Sequence, residues 1–290
     1  MKKILLTGAS GQLGRAFIKK SEGKYTVLGI GRNSSGHCSF KKGNITDKIF
    51  IEKIVEDYSP DVIVHFAAMT SVDECEQNPH AAKNVNTAPV EWILNKFSGY
   101  FIFISTDYVF DGREGPYSEE AKTNPINVYG NTKLEAESII HSHSQKGLIL
   151  RTNVLFDYTE WTAASFVNWV VRSLRNRKSI SVVVDQFNNP IWTDHLAQIL
   201  ISLMEIEATG LYHSGSNEYI SRHDFALMIA KKFELDQSLI SPITTKALNQ
   251  RALRPLKAGL QTQKITDDFE IMPPSMDEAL SVISGRKWKQ

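Results

Sequence analysis

The residues of this chain best suited to chemistry are Thr106, Tyr129 and Lys133. A spacing of four puts Tyr129 and Lys133 on one face of a helix, about a turn apart. An ammonium beside a phenol favours the phenolate, which lowers the tyrosine's pKa and suits it to proton transfer near neutral pH. Thr106 can bring a second hydroxyl to the same substrate oxygen. Such a set does acid–base work on a carbonyl or an alcohol and needs a separate source of hydride.

Particular elements must position that set. Residues 102–106 form an apolar, β-branched run that suits a buried parallel strand. The run ends in Ser105, Thr106 and Asp107, and in open parallel sheets ligands sit at the carboxyl ends of the strands. Residues 132–140 are rich in Lys, Leu, Glu and Ala and read as helix.

The start of the chain has the form that a hydride-carrying dinucleotide requires. Residues 2–7 read as a strand, then come Gly8-Ala9-Ser10-Gly11-Gln12-Leu13-Gly14, then an amphipathic helix. A glycine turn between strand and helix lets backbone approach a pyrophosphate and aims helix N–H groups at it. Gly8, Ser10, Gly11, Gln12, Leu13 and Gly14 are therefore candidate cofactor contacts. A second strand over 25–30 leads to Arg32, Asn33, Ser34 and Ser35, with no carboxylate among them. Arginine at that place suits the 2′-phosphate of NADP, so NADPH is the expected cofactor, with NADH left open. Asn44 and Ile45 can border the adenine, and Thr46 or Asp47 can cap the helix that follows. Residues 60–68 read as another buried strand, whose small Ala67-Ala68 end can lie against the nicotinamide ribose and phosphates. His65, inside that run, reads as a packed core histidine.

The chain has 290 residues, 42% of them hydrophobic and 22% charged, with a net charge of +1. It can bury a large core and form one large or two modest domains. The charge balance gives no reason to expect nucleic acid or a membrane as partner. Cys38 and Cys75 cannot form a disulfide framework and fit a reducing cytoplasm. The apolar run after Met1-Lys2-Lys3 is too short for a signal peptide. Strand–helix alternation in the first half predicts an α/β fold, a Rossmann-like doubly wound parallel sheet over 1–152. Residues 153–290 read mainly as a smaller mixed lobe closing a substrate cleft, with some segments returning to the sheet. Helices are expected over 166–174, 194–204 and 225–233, with a helix start near Ser275. No metal site is expected, and His141-Ser142-His143 reads as a polar helix end. Asp73-Glu74, Glu76 and Ser118-Glu119-Glu120 read as solvated acidic surface. Trp161 and Trp169 read as core or cleft wall. Trp192 is a candidate pocket residue. A homodimer is compatible with the apolar helices of the second half.

Taken together, the glycine turn, the Ser105-Thr106-Asp107 strand end and the Tyr129–Lys133 pair resemble the extended short-chain dehydrogenase/reductase family. Ser105-Thr106-Asp107-Tyr108-Val109-Phe110-Asp111-Gly112, Asn127-Val128-Tyr129-Gly130-Asn131-Thr132-Lys133-Leu134 and Asp185-Gln186-Phe187 are most similar to dTDP-4-dehydrorhamnose reductases. The resemblance implies an NADPH-dependent reduction of the C4 ketone of a nucleotide-linked deoxysugar. It implies Tyr129 as general acid, and Lys133 lowering its pKa and holding the nicotinamide ribose. Thr106 would bind the same sugar oxygen, with Asp107 and Tyr108 bordering the sugar. Asn153, Gln186, Trp192 and Arg254 fall on the expected substrate side. The chain departs from the reductase pattern at Asn153-Val154, where Ser-Trp is usual, along residues 185–191, and after Arg254-Pro255. Two other readings share these motifs. One is a nucleotide-sugar epimerase or dehydratase of the same superfamily. The other is a non-catalytic subunit like the methionine adenosyltransferase β subunit, which the terminal Arg286-Lys287-Trp288 also resembles.

Overall fold

The computed structural model describes residues 1–34, 36–143, 146–162 and 165–286. Ser35 and the terminal Lys287-Trp288-Lys289, singled out in the sequence, lie outside the described residues.

Six strands, β1 (Lys3–Thr7), β2 (Thr26–Gly31), β3 (Ser39–Lys42), β4 (Val62–His65), β5 (Tyr100–Thr106) and β6 (Gly147–Thr152), join the strand Gly210–His213 in one sheet. Across the sheet the order is Gly210–His213, β6, β5, β4, β1, β2, β3, and every pairing is parallel. Strands covered on both faces must be apolar on both, and Ile4, Leu5 and Leu6 in β1 are fully buried. On one face lie α1 (Gln12–Ser21) and α8 (Thr193–Glu205), packing Phe17, Leu196 and Leu200 onto Ile4, Leu6, Ile102 and Leu150. On the other face α2 (Lys48–Tyr58), α5 (Ala88–Leu94) and α6 (Val128–His143) pack Ile51, Ile93 and Ile140 onto Leu5, Ile63 and Phe103.

The strand β3 was not evident in the sequence. It reads Ser-Phe-Lys-Lys, with a single apolar residue, which is the composition of a short, charged edge strand rather than a buried one. Between β4 and β5 the chain forms three short helices: α3 (Val72–Gln77), α4 (Pro79–Asn86) and α5. Pro79 and Pro89 begin the later two, where a proline's missing N–H costs no helix bond.

Beyond β6 the chain divides its residues between two places. Both α8 and Gly210–His213 return to the large sheet. The remainder builds a second core around Ile180–Val183, paired in parallel with Ile240–Ile243. There Phe156, from the short strand Leu155–Phe156, interlocks with Val170, Leu174, Phe225, Ile229 and Ile283, contributed by α7 (Phe166–Arg175), α9 (Arg222–Lys232) and the helix Met276–Ser284. Ser275 caps that last helix by accepting from the Glu278 N–H, as its sequence position suggested.

One buried ion pair fixes α6 against the sheet. Arg151 on β6 donates from Nε and Nη2 to the two Glu137 oxygens at 2.9 and 2.7 Å, and Ser105 on β5 donates to the same carboxylate. Both charged side chains are almost wholly removed from water. Leaving one member of such a pair without the other strands a charge in a low-dielectric interior. Arg151→Met should therefore lower unfolding free energy by about 3–5 kcal/mol in urea titration, and a loss well below 1 kcal/mol would show that the pair does not fix α6.

Candidate functional site

The side chains that position themselves at the carboxyl edge of the sheet do so through backbone constraints written in the sequence. Gly8 takes φ +68°, and a Cβ there would meet the backbone of Phe66 and Ala67 at 2.8 Å. A Cβ on Gly14 would lie 2.4 Å from the Gly8 carbonyl oxygen. The turn thus needs glycine at both places, and it closes with a Gly11 N–H donating to the Gly8 carbonyl at 3.0 Å. Thr7 ties this turn to the end of β4: its Oγ1 accepts from Phe66 N–H at 3.1 Å and Ala67 N–H at 3.0 Å.

The candidate cofactor residues come together along one edge. Gly8, Ser10, Gly11, Gln12, Leu13 and Gly14 follow β1, Arg32 follows β2, Asn44 and Ile45 follow β3, and Ala67 and Ala68 follow β4. These four strands are neighbours in the sheet. Arg32 and Asn44 are exposed, and the first turn of α1 carries no acidic residue. A glycine cradle, uncapped helix N–H groups and an exposed arginine beside them suit a phosphorylated dinucleotide. His65 stays in the core: it stacks on Phe103 at 5.9 Å, contacts Thr7 Oγ1 at 3.2 Å, and burial pushes its pKa down to about 3.

Thr106, Tyr129 and Lys133 converge next to this edge. Helix α6 begins at Val128, four residues before the stretch that reads as helix, so Tyr129 lies within it. Gly130 allows the approach, since a Cβ there would meet the Tyr108 carbonyl oxygen at 2.1 Å. Asn127 Oδ1 accepts from the Gly130 N–H at 2.9 Å, and Glu76 accepts from the Val128 N–H at 3.1 Å. Asn86, fully buried, donates to Thr132 Oγ1 at 3.0 Å and Thr87 donates to the Thr132 carbonyl at 2.9 Å. The Thr106 hydroxyl faces the Tyr129 phenol, and Tyr108 meets the Tyr129 ring edge-on at 5.9 Å.

The electrostatics differ from what the sequence implied. The Tyr129 pKa is raised, chiefly by burial, and the nearby Thr106 hydroxyl is what opposes that rise. Lys133 does not supply the lowering. It is itself desolvated, with its ammonium 3.8 Å over the Phe103 ring and its pKa pushed down to about 7 against the pull of Glu137. A phenol in this setting stays protonated and is a proton donor. Asp107, next along, is buried, and desolvation raises its carboxyl to about 7. Its Oδ1 accepts from Thr106 at 3.2 Å, while Oδ2 has no partner among the described residues.

The candidate substrate residues are partly reassigned. Trp192, a candidate pocket residue that equally reads as core, packs in the second core, donates to Asp157 at 3.0 Å and has the Arg286 guanidinium 5.4 Å from its ring. Gln186 donates to Thr245 at 3.0 Å, and Asn153 donates to Asn189 at 2.6 Å. Arg254 reaches across to α3 and makes a two-pronged pair with Asp73, at 3.2 and 2.8 Å. Asp73 and Glu76 are thus structural anchors rather than free acidic surface. The same correction applies to Glu119, whose buried carboxylate accepts from the His213 N–H at 2.8 Å. Trp161 and Trp169 are substantially exposed, and Arg15 lies 4.3 Å from the Trp161 ring. Sequence reasoning missed Glu137 and Arg151; a glutamate one turn beyond Lys133 on the same helix face was the available signal. Among the described residues no cluster of His, Cys, Asp and Glu could hold a metal ion, and no helix is long and apolar enough to cross a membrane.

Comparison with known proteins gives this geometry relatives. The family model described as the RmlD substrate binding domain matches residues 1–286. The chain is 34% identical to a dTDP-4-dehydrorhamnose reductase of Aggregatibacter actinomycetemcomitans over 98% of both chains. It is 32% identical to the methionine adenosyltransferase 2 subunit beta of Danio rerio, over 91% of this chain and 84% of that protein. Among solved structures, a dTDP-4-dehydrorhamnose reductase from Bacillus anthracis in complex with NADP superposes with a TM-score of 0.85 at 25% identity, covering 97% and 98% of the two chains.

The carboxyl of Asp107 generates a pH test. Its folded value of about 7 lies above the ordinary carboxylate value near 4. Between those two pH values the unfolded chain has already lost the proton that the folded chain keeps, so wild-type stability falls as pH rises. Asp107→Asn lacks that slope. Its stability relative to wild type should therefore improve steadily from pH 4 to pH 7 in chemical denaturation, and a constant difference would contradict the buried, protonated carboxyl.

Proposed function

The chain belongs to the family of the RmlD substrate binding domain, within the short-chain dehydrogenase/reductase-like superfamily, and we propose that it reduces the C4 ketone of a nucleotide-linked deoxysugar with NADPH, in the manner of dTDP-4-dehydrorhamnose reductases. The observation that carries this reading is the Thr106 hydroxyl facing a buried Tyr129 phenol, whose pKa burial raises, beside a glycine turn made for a dinucleotide. A protonated donor is what a reduction needs, because the carbonyl oxygen must acquire a proton.

Residues 1–152 hold the cofactor, and residues 153–290 mainly supply the wall for the sugar nucleotide. Gly8, Ser10, Gly11, Gln12, Leu13 and Gly14 receive the pyrophosphate, Arg32 the 2′-phosphate, Asn44 and Ile45 the adenine side, and Ala67 and Ala68 the ribose and phosphates near nicotinamide. NADPH, when bound, supplies the hydride to the ketone carbon. Thr106 Oγ1 and Tyr129 Oη hydrogen-bond the ketone oxygen and fix its orientation. As negative charge grows on that oxygen, Tyr129 gives up its phenolic proton. Lys133, one turn along α6, gives a positive charge that stabilises the phenolate left behind and holds the nicotinamide ribose. Asp107 and Tyr108 border the sugar. The free thiols of Cys38 and Cys75 support a reducing cytoplasm as the compartment of this activity.

Tyr129→Phe removes the proton donor and leaves the glycine cradle intact. Turnover of dTDP-4-dehydro-6-deoxy-L-mannose, followed by NADPH absorbance, should fall by roughly 10²–10⁴-fold, with NADPH affinity retained. Undiminished turnover in that variant would overturn the mechanism.

A further inference from the structure

Arg222 stands out among the charged groups near Asp107 and Tyr108 because, among the described residues, no hydrogen bond or ion pair holds its side chain. It is the first residue of α9, where its backbone N–H donates to the Gln186 carbonyl at 3.0 Å. Its guanidinium carbon lies 5.2 Å from the centre of the Phe166 ring. Burial works against its charge; Tyr108 and Asp107 are near enough to favour that charge, and Arg254 is near enough to oppose it. The side chain therefore faces the segment that follows Thr106. Among the described residues it forms no side-chain hydrogen bond and no ion pair. Arg151 and Arg254, the other guanidiniums drawn into this region, are each held in two-pronged pairs by Glu137 and Asp73.

Five guanidinium N–H donors without acceptors are costly in a half-buried place. Asp107, the carboxyl that acts on it, offers little compensation below about pH 7, because burial raises its pKa to about 7. Two guanidiniums with one committed carboxylate, Asp73, leave an excess of positive charge beside Tyr108 and Asp107. The planar fork of arginine matches phosphate oxygens in pairs, and a desolvated site strengthens that match. The glycine turn, where the cofactor's pyrophosphate belongs, follows β1 rather than this lobe.

We propose that Arg222 binds the diphosphate of the nucleotide-linked substrate, with Arg254, oriented by Asp73, as the second cation on the same anion. This assignment rests on the reading of the substrate as a sugar nucleotide. It gives a specificity role to a residue that carried no sequence signal, on a helix that otherwise serves the second core.

The test reads binding, not turnover. Affinities of dTDP, dTMP and thymidine are measured by calorimetry for wild type, Arg222→Gln and Arg222→Lys, with thermal unfolding as a check on folding. Wild type should bind dTDP more tightly than thymidine, and Arg222→Gln should weaken dTDP at least tenfold while leaving thymidine within about twofold. Arg222→Lys keeps the charge without the fork and should fall between the two. Raising the salt concentration should weaken dTDP binding more steeply in wild type than in Arg222→Gln. Unchanged dTDP affinity in a folded Arg222→Gln would overturn the assignment, as would a wild type that makes no distinction between dTDP and thymidine. A chain that binds dTDP through Arg222 and yet reduces no ketosugar would keep this inference and remove the proposed activity instead.

Discussion

The two-pronged ion pair between Glu137 and Arg151 is the interaction on which the site depends. Tyr129, Lys133 and Glu137 follow one another at intervals of four along α6, on the face turned to the sheet. Anchoring the third of these sets the rotation and height of the other two. Arg151 lies on β6, one residue before the Thr152 that pairs with Thr106 of β5. Ser105, donating to the same carboxylate, immediately precedes Thr106. A single buried charge pair thus sets both the helix that carries the phenol and the strand ends that carry its hydroxyl partner. Gly130 completes the fit by letting the helix meet the Tyr108 carbonyl without an intervening side chain.

Burying so many ionisable groups has a chemical consequence. Desolvation favours the neutral form of each, and here it raises Tyr129 and Asp107 and lowers Lys133 and His65. The result is a pocket whose phenol keeps its proton until charge develops on the oxygen next to it. Lys133 has a pKa of about 7 in this setting, so any negative charge brought alongside it will favour its ammonium form. On the proposed mechanism, the state suited to proton donation is therefore assembled with substrate and cofactor rather than fixed in advance by the lysine alone. Local sequence cannot reveal this, because the spacing of Tyr129 and Lys133 is the same whether or not water reaches them.

Much of the fold was legible because its signals are periodic or steric. The apolar runs of β1, β4, β5 and β6 and the glycine turn follow directly from local sequence. The structure differs where tertiary contacts override local pattern. β3 has one apolar residue and exists because β2 offers it an edge. Asp73, Glu76 and Glu119 look like solvated carboxylates, yet each accepts from a backbone N–H far away in sequence. Trp192 follows the segment that resembles a substrate loop, but its indole N–H finds Asp157 and its ring joins the second core. In every such case the deciding partner is remote in the chain, and no local spacing announces it.

The direct test of the account is the fate of the hydride. NADPH carrying deuterium at the transferable nicotinamide C4 position would be supplied in excess with dTDP-4-dehydro-6-deoxy-L-mannose, and the sugar product analysed by mass spectrometry and NMR. The account predicts deuterium at sugar C4, with one NADPH consumed for each product formed. Product formed without deuterium and without net NADPH consumption would contradict it, and would mark a chain that returns the hydride to its own sugar, as an epimerase or dehydratase does.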